Sequence, residues 1–154
     1  MPLIDIQAAD AIIPALKASS KKQAIQEICA RAALVSGLGE REIFDSVLQR
    51  ERLGSTGVGN GIAIPHCKLE KASEIFGVFA RLERPVDFDA QDGAPVDLVF
   101  LLVAPEAAGA DHLKALARAA RVFSDSSLTA RLRATRDPAA LYLLLTQTAT
   151  SFAA

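Results

Sequence analysis

A layered α/β sandwich is the fold class this sequence predicts, and three observations predict it. Helical patterns stand near the N-terminus and again through the last third, with strand-like sequence between them. The stretch Val96–Val103 is almost continuously apolar, as a strand buried on both faces must be. At 154 residues and 51% hydrophobic, the chain has the size and apolar content of one domain, expected over residues 1–154.

Residues 1–19 are ambiguous, with apolar stretches around Ile4 and Ile12-Ile13 broken by Pro14. A helix is expected from Ser20, because Ser20 and Gln23 form a capping-box pattern. Ile25, Ile28, Cys29, Ala32 and Ala33 then follow helical spacing, and Gly37 and Gly39 end it. A second helix is expected from about Glu40 to Arg50, burying Ile43, Phe44, Val47 and Leu48. The run Gly54–Gly61 is too rich in glycine for helix or strand and reads as a loop. Ile62–Ile64 reads as a short strand that ends at Pro65-His66. Ile75–Leu82 is a second strand, and Pro85–Pro95 is a connection with a turn at Asp92-Gly93 and a brief strand at Val86–Phe88. Beyond the buried strand, Asp111 is placed to cap a helix with Leu113, Leu116, Ala117, Ala120 and Phe123 on its apolar stripe. A short helix follows around Leu128–Leu132. Asp137-Pro138 is an N-cap and first-turn pair opening a last helix through Leu141, Leu144 and Leu145, with residues from Thr146 to Ala154 expected to fray.

Composition removes several function classes. Seventeen basic residues balance eighteen acidic ones, so no global charge excess points to nucleic acid. No apolar run approaches the roughly 20 residues of a membrane span, and the N-terminus lacks a signal-peptide pattern. Two cysteines, Cys29 and Cys67, make no disulfide framework and suit a reducing cytoplasm.

Chemistry concentrates around one of only two histidines. His66 follows the glycine loop, and glycines let backbone N–H groups converge on an oxyanion. Ser55, Thr56, Gly57, Gly59 and Asn60 are the candidate phosphate-loop residues, with a plain surface turn as the competing reading. The loop is not a nucleotide P-loop, because no Gly-Lys-Ser/Thr ends it. Arg50 and Arg52 close the preceding helix, and arginine matches phosphate with a planar fork of donors. His112, in the first turn of a later helix, is a candidate second imidazole facing His66; otherwise it is an exposed first-turn residue. Together these residues make a plausible site for a transferable phosphoryl group, with a neutral imidazole as nucleophile and no cofactor, nucleotide or metal required. The sequence leaves open which nitrogen of His66 would accept, tele being one candidate, because the choice depends on what the other nitrogen bonds.

Two other constellations fit less well. His66, Cys67, His112 and Cys29 match no common zinc spacing, so no metal site is expected. Cys67 as a thiol nucleophile lacks a base, because neighbouring side chains on a strand point to opposite faces.

The run Arg50 to His66 resembles the phosphorylation-site segment of phosphotransferase-system IIA proteins of the fructose–mannitol type, in the wording of the nitrogen-regulatory branch. The resemblance continues through Pro95–Pro105 and Asp111-His112-Leu113, and so covers nearly the whole chain. It implies a mixed β-sheet flanked by helices. It implies that His66 accepts phosphate from an HPr-like phosphocarrier (NPr), that His112 is the second active-site histidine and that Arg50 contacts the phosphoryl group. It further implies cytoplasmic control of partners such as transporters or sensor kinases. A sugar-specific IIA subunit serving a IIB protein and a phosphorylation-independent binding module are the alternatives. No IIB or IIC sequence is present. Where the family commonly has glycine after the histidine, this chain has Cys67, which would be strained at positive φ and adds an oxidisable thiol beside the acceptor.

Overall fold

The computed structural model describes residues 6–153, and the stretch around Ile4 lies outside them. Strand β1 (Gln7–Leu16) leads to helices α1 (Lys21–Ser36) and α2 (Glu40–Leu53). Short strands β2 (Gly57–Gly59), β3 (Ile62–Ala63) and β4 (His66–Leu69) follow, then the long strands β5 (Phe76–Val86) and β6 (Val96–Pro105). A 3-10 turn at Glu106–Ala108 precedes α3 (Ala110–Phe123), α4 (Ser126–Ala134) and α5 (Pro138–Ala153).

The sheet is mixed, in the order β1-β5-β6-β3-β2, with β4 also paired to β6. β1 runs parallel to β5, β5 antiparallel to β6, and β3 and β4 each parallel to β6. β3 and β4 therefore occupy one side of β6 in succession, Ile62 opposite Leu98 and His66 opposite Leu102. Alternation along β6 sends Val99, Leu101 and Val103 into a core shared with α1 and α2, and Leu98, Phe100 and Leu102 into a core shared with α3, α4 and α5. This three-layer arrangement is the predicted sandwich.

Several local expectations need correction. Residues 7–16, left ambiguous by Pro14, form a strand; β1 is the sheet's outer strand on that side, where a missing N–H leaves no ladder bond unmade. The glycine run is not all loop, because Gly57–Gly59 and Ile62–Ala63 pair as a hairpin. Its turn is Asn60-Gly61 at φ 57° and 80°, the pair of positive angles a two-residue hairpin turn demands. Pro85-Val86 ends β5 instead of starting a separate strand. α3 is capped by Gly109, not Asp111, and its buried stripe is His112, Ala115, Ala119, Val122 and Phe123. Leu113 is 66% exposed. The small alanines let α3 lie close on the sheet, and anchoring the expected stripe on Leu113 placed it one residue out of phase. α5 is helical to Ala153, beyond the Thr146 from which fraying was expected. The capping of α1 is as read on one side: Ser20 accepts from the Gln23 N–H. The return bond lands one residue earlier, with Gln23 Oε1 accepting from the Ser19 N–H at 2.8 Å.

Candidate functional site

His66 is the first residue of β4, not the end of the preceding strand. Its position is set on both sides by main chain: the Leu102 N–H donates to the Pro65 carbonyl at 2.9 Å, and β4 continues in register along β6. Within β4, Cys67 and Leu69 turn into the core under α1 and α2, so His66 and Lys68 share the opposite face.

Three side chains meet at the start of this strand. His66 Nδ1 lies 2.9 Å from the Ile64 carbonyl, which can only accept, so Nδ1 carries the proton. Nε2 then holds the lone pair, and it receives a hydrogen bond from Arg50 Nε at 3.2 Å. Arg50 is itself held by a second bond, from Nη1 to the Gly54 carbonyl at 3.1 Å. The His112 ring stands 5.7 Å away, centroid to centroid, tilted by 53°. His112 is only 4% exposed, which excludes the reading of an open first-turn residue.

The electrostatics disfavour the protonated form of both imidazoles. Burial pushes the His66 pKa below its ordinary value, with the Arg50 charge acting in the same sense and the Ile64 hydrogen bond and Glu51 opposing it. Burial also lowers His112, helped by the charges of His66 and Lys68. His112 Nδ1 is buried without a hydrogen-bond partner. A buried bare acceptor costs less than a buried unmet N–H, so the tautomer protonated on Nε2 is the one this environment favours.

The predicted phosphate-loop residues are engaged elsewhere. Ser55 Oγ donates to the Phe88 carbonyl and accepts from the Gly57 N–H. The Thr56 hydroxyl and N–H both donate to the Glu51 carboxylate. Gly59 and Asn60 sit at the hairpin tip, where the Asn60 N–H is bound by Asp92 and its carbonyl by Arg133. That tip lies beyond Leu98 along β6 while His66 lies beside Leu102, four residues or roughly 13 Å away. The structure thus brings His66, Arg50 and His112 together and leaves the five loop residues as scaffold. Arg52 is exposed, and two residues along a helix place it on another face from Arg50.

Glu51 is the residue that reading the sequence passed over. It is 8% exposed and pairs with Lys21 Nζ at 2.8 Å as well as holding Thr56. This ties the end of α2 to the start of α1 and fixes the loop whose Gly54 carbonyl holds Arg50. No pattern of spacing signals such a brace. Cys67 does not have positive φ, so it is unstrained, and its thiol is buried with its pKa pushed up to about 11. Among the described residues no group of histidine, cysteine and acidic side chains is placed to hold a metal. No helix there is long and apolar enough to cross a membrane.

The family described as "Phosphoenolpyruvate-dependent sugar phosphotransferase system, EIIA 2" matches residues 6–148. The chain belongs to this EIIA type-2 family. Within it, the nitrogen-regulatory branch is the one the relatives point to. The chain is 60% identical to the nitrogen regulatory protein of Bradyrhizobium diazoefficiens, over 94% of this chain and 95% of that one. It is 44% identical to the Escherichia coli K12 nitrogen regulatory protein, over 84% and 80%. The crystal structure of nitrogen regulatory protein IIA-Ntr from Neisseria meningitidis superposes with a TM-score of 0.87 at 35% identity, covering 92% of this chain and 97% of that one. The mannitol IIA of Escherichia coli has the same fold, with a TM-score of 0.76 at 24% identity over 90% and 97%. This EIIA chain is therefore a component of the phosphotransferase system. The mixed sheet that the resemblance implied is the sheet observed.

Proposed function

We propose that this EIIA protein is a phosphohistidine carrier and regulator acting in the cytoplasm. Nε2 of His66 takes a phosphoryl group from an HPr-like histidine phosphocarrier, the NPr of a nitrogen phosphotransferase system. The phosphorylation state then selects among regulated partners such as transporters or sensor kinases. The observation that carries this reading is the pair of bonds on one ring: Nδ1–H given to the Ile64 carbonyl, and the Nε2 lone pair turned toward Arg50 with His112 alongside.

The reaction follows from that geometry. The Nε2 lone pair forms a bond to phosphorus while the bond to the carrier's imidazole nitrogen breaks, and that nitrogen leaves with the electron pair. Such transfer is loose, so position and charge stabilisation do most of the work. The positive charge that develops on the His66 ring is met by the Ile64 carbonyl. Arg50 moves its donors from the ring nitrogen onto phosphoryl oxygens, and His112 donates from Nε2. No nucleotide enters, because the donor is already a phosphohistidine. The regulatory half rests on the 60% identity to a protein named for nitrogen regulation. A phosphate adds about two negative charges to the site, enough to change what binds there.

The test is phosphorylation of the purified protein by a reconstituted relay of enzyme I, phosphocarrier and phosphoenolpyruvate. The expected product carries one acid-labile phosphoryl group, and the His66→Ala variant carries none. Full labelling of that variant refutes the assignment.

A further inference from the structure

We infer that Lys68 is the second cation of the phosphoryl site, binding the phosphate on His66 from the side opposite Arg50. The inference rests on the reading of His66 as the phosphoacceptor and goes beyond it. The first support is strand geometry. Lys68 follows His66 by two residues in β4, so both side chains leave the same face, while Cys67 between them is buried on the other. A lysine stem is long and flexible enough to span one two-residue step of about 6.6 Å.

The second support is register. Lys68 lies opposite Ala104, at the end of β6 from which the chain turns through Glu106–Ala108 into α3. That turn delivers His112 in the first turn of α3, so Lys68 stands on the His112 side of the site while Arg50 arrives from α2. Consistent with this, the Lys68 charge is one of those that disfavour protonation of His112.

The third support is charge. A phosphoryl group on His66 is close to a dianion. Arg50 supplies one positive charge and burial disfavours a charge on either imidazole, while the Glu51 carboxylate nearby is paired with Lys21. One unit of charge is left unmet by the residues already assigned. Lys68 is exposed, and among the described residues its ammonium makes no hydrogen bond or salt bridge, so it is free to close over the phosphate. Arg52, the other nearby cation, leaves α2 on a different face from Arg50.

The experiment compares wild type with Lys68→Gln and Lys68→Arg, each phosphorylated by the reconstituted relay, with thermal melts checking that the fold is kept. The readouts are the equilibrium constant for transfer from the carrier and the pH titration of the phosphohistidine phosphorus resonance. Losing one charge-assisted contact should lower that constant about tenfold in Lys68→Gln. The phosphoryl group's second ionisation should move upward in the same variant, because the dianion has lost a cation. Lys68→Arg should restore both. A Lys68→Gln variant with an unchanged phosphorus titration overturns the inference, whether or not the rate or its salt dependence has changed; a changed salt dependence alone makes Lys68 a docking charge for the carrier. If wild type takes no phosphate at all, the reading of His66 fails first and the inference falls with it.

Discussion

Arg50 Nε donates to His66 Nε2 over 3.2 Å, so the lone pair of that ring nitrogen is covered by the guanidinium. The arginine is not loose, because its Nη1 is anchored on the Gly54 carbonyl. On the proposed function, a short shift of the guanidinium about that anchor would uncover the nitrogen and present the same donors to phosphoryl oxygens.

Replacing Arg50 with Gln should slow phosphoryl transfer by about a hundredfold or more, the loss typical of removing one donor aimed at developing charge. Arg50→Lys should recover only part of it, since an ammonium lacks the planar fork. Rapid-quench transfer from phosphorylated carrier measures both. The same Gln variant should raise the His66 pKa, because Arg50 is one of the groups that hold it down. A proton NMR titration of the His66 ring reads this directly.

Stability should fall as the solution is acidified through the histidine range. Both imidazoles have folded pKa values below the ordinary 6.5, chiefly through burial. Below that value the unfolded chain binds more protons than the folded one, so stability rises with pH there. The contribution is complete above the unfolded pKa and is lost as pH falls through the folded values. Urea unfolding midpoints between about pH 7.5 and pH 5.5 should show the loss, and a His66→Asn, His112→Asn double variant should flatten it.

Cys67 should be inert in the folded protein despite standing next to the acceptor. Its side chain is in the core and burial keeps the thiol protonated, with a pKa of about 11. Alkylation at neutral pH should label neither cysteine until denaturant is added, and mild oxidant should leave the transfer rate unchanged.

How much of this was legible in the sequence depends on what each feature rests on. β6 was plain because a strand covered on both faces has no choice but to be apolar. β1 was hidden because Pro14 reads as a breaker, and only the sheet order shows that it lies on an edge. The hairpin was hidden by counting glycines instead of reading Asn60-Gly61 as a turn. In the site, His66, Arg50 and His112 came together as expected. The loop donors did not, because Ser55 and Thr56 satisfy local backbone and Glu51 before any phosphate arrives. Lys68 was passed over, because the strand was read as ending at Pro65-His66 and β4 was not anticipated. Glu51 was not legible, since its partner Lys21 lies thirty positions earlier and nothing local links them.

Gly77→Ala should be strongly destabilising. A Cβ at position 77 would overlap Phe100 Cζ and stand 2.8 Å from Cε1, and Phe100 is fully buried. Overpacking of that kind costs about 3 kcal/mol or more where the neighbour has no room to move. Chemical denaturation of the variant gives the value.

Glu51→Ala should cost about 2–4 kcal/mol, because it leaves the Lys21 ammonium half-buried and without its main partner. Transfer should slow as well, through loss of the Thr56 tether and with it the Gly54 anchor. A Lys21→Met, Glu51→Leu double variant should recover stability without recovering the rate. That split separates the brace's effect on folding from its effect on Arg50.

His66 opens a strand locked into the sheet, with the Leu102 N–H on the preceding carbonyl and both ring nitrogens already engaged. As the proposed phosphoacceptor, His66 is therefore a fixed berth, not a swinging arm. It cannot reach out to a donor or carry its load across to a recipient. On the proposed function, each transfer is a collision in which the whole partner seats itself against the strand's end.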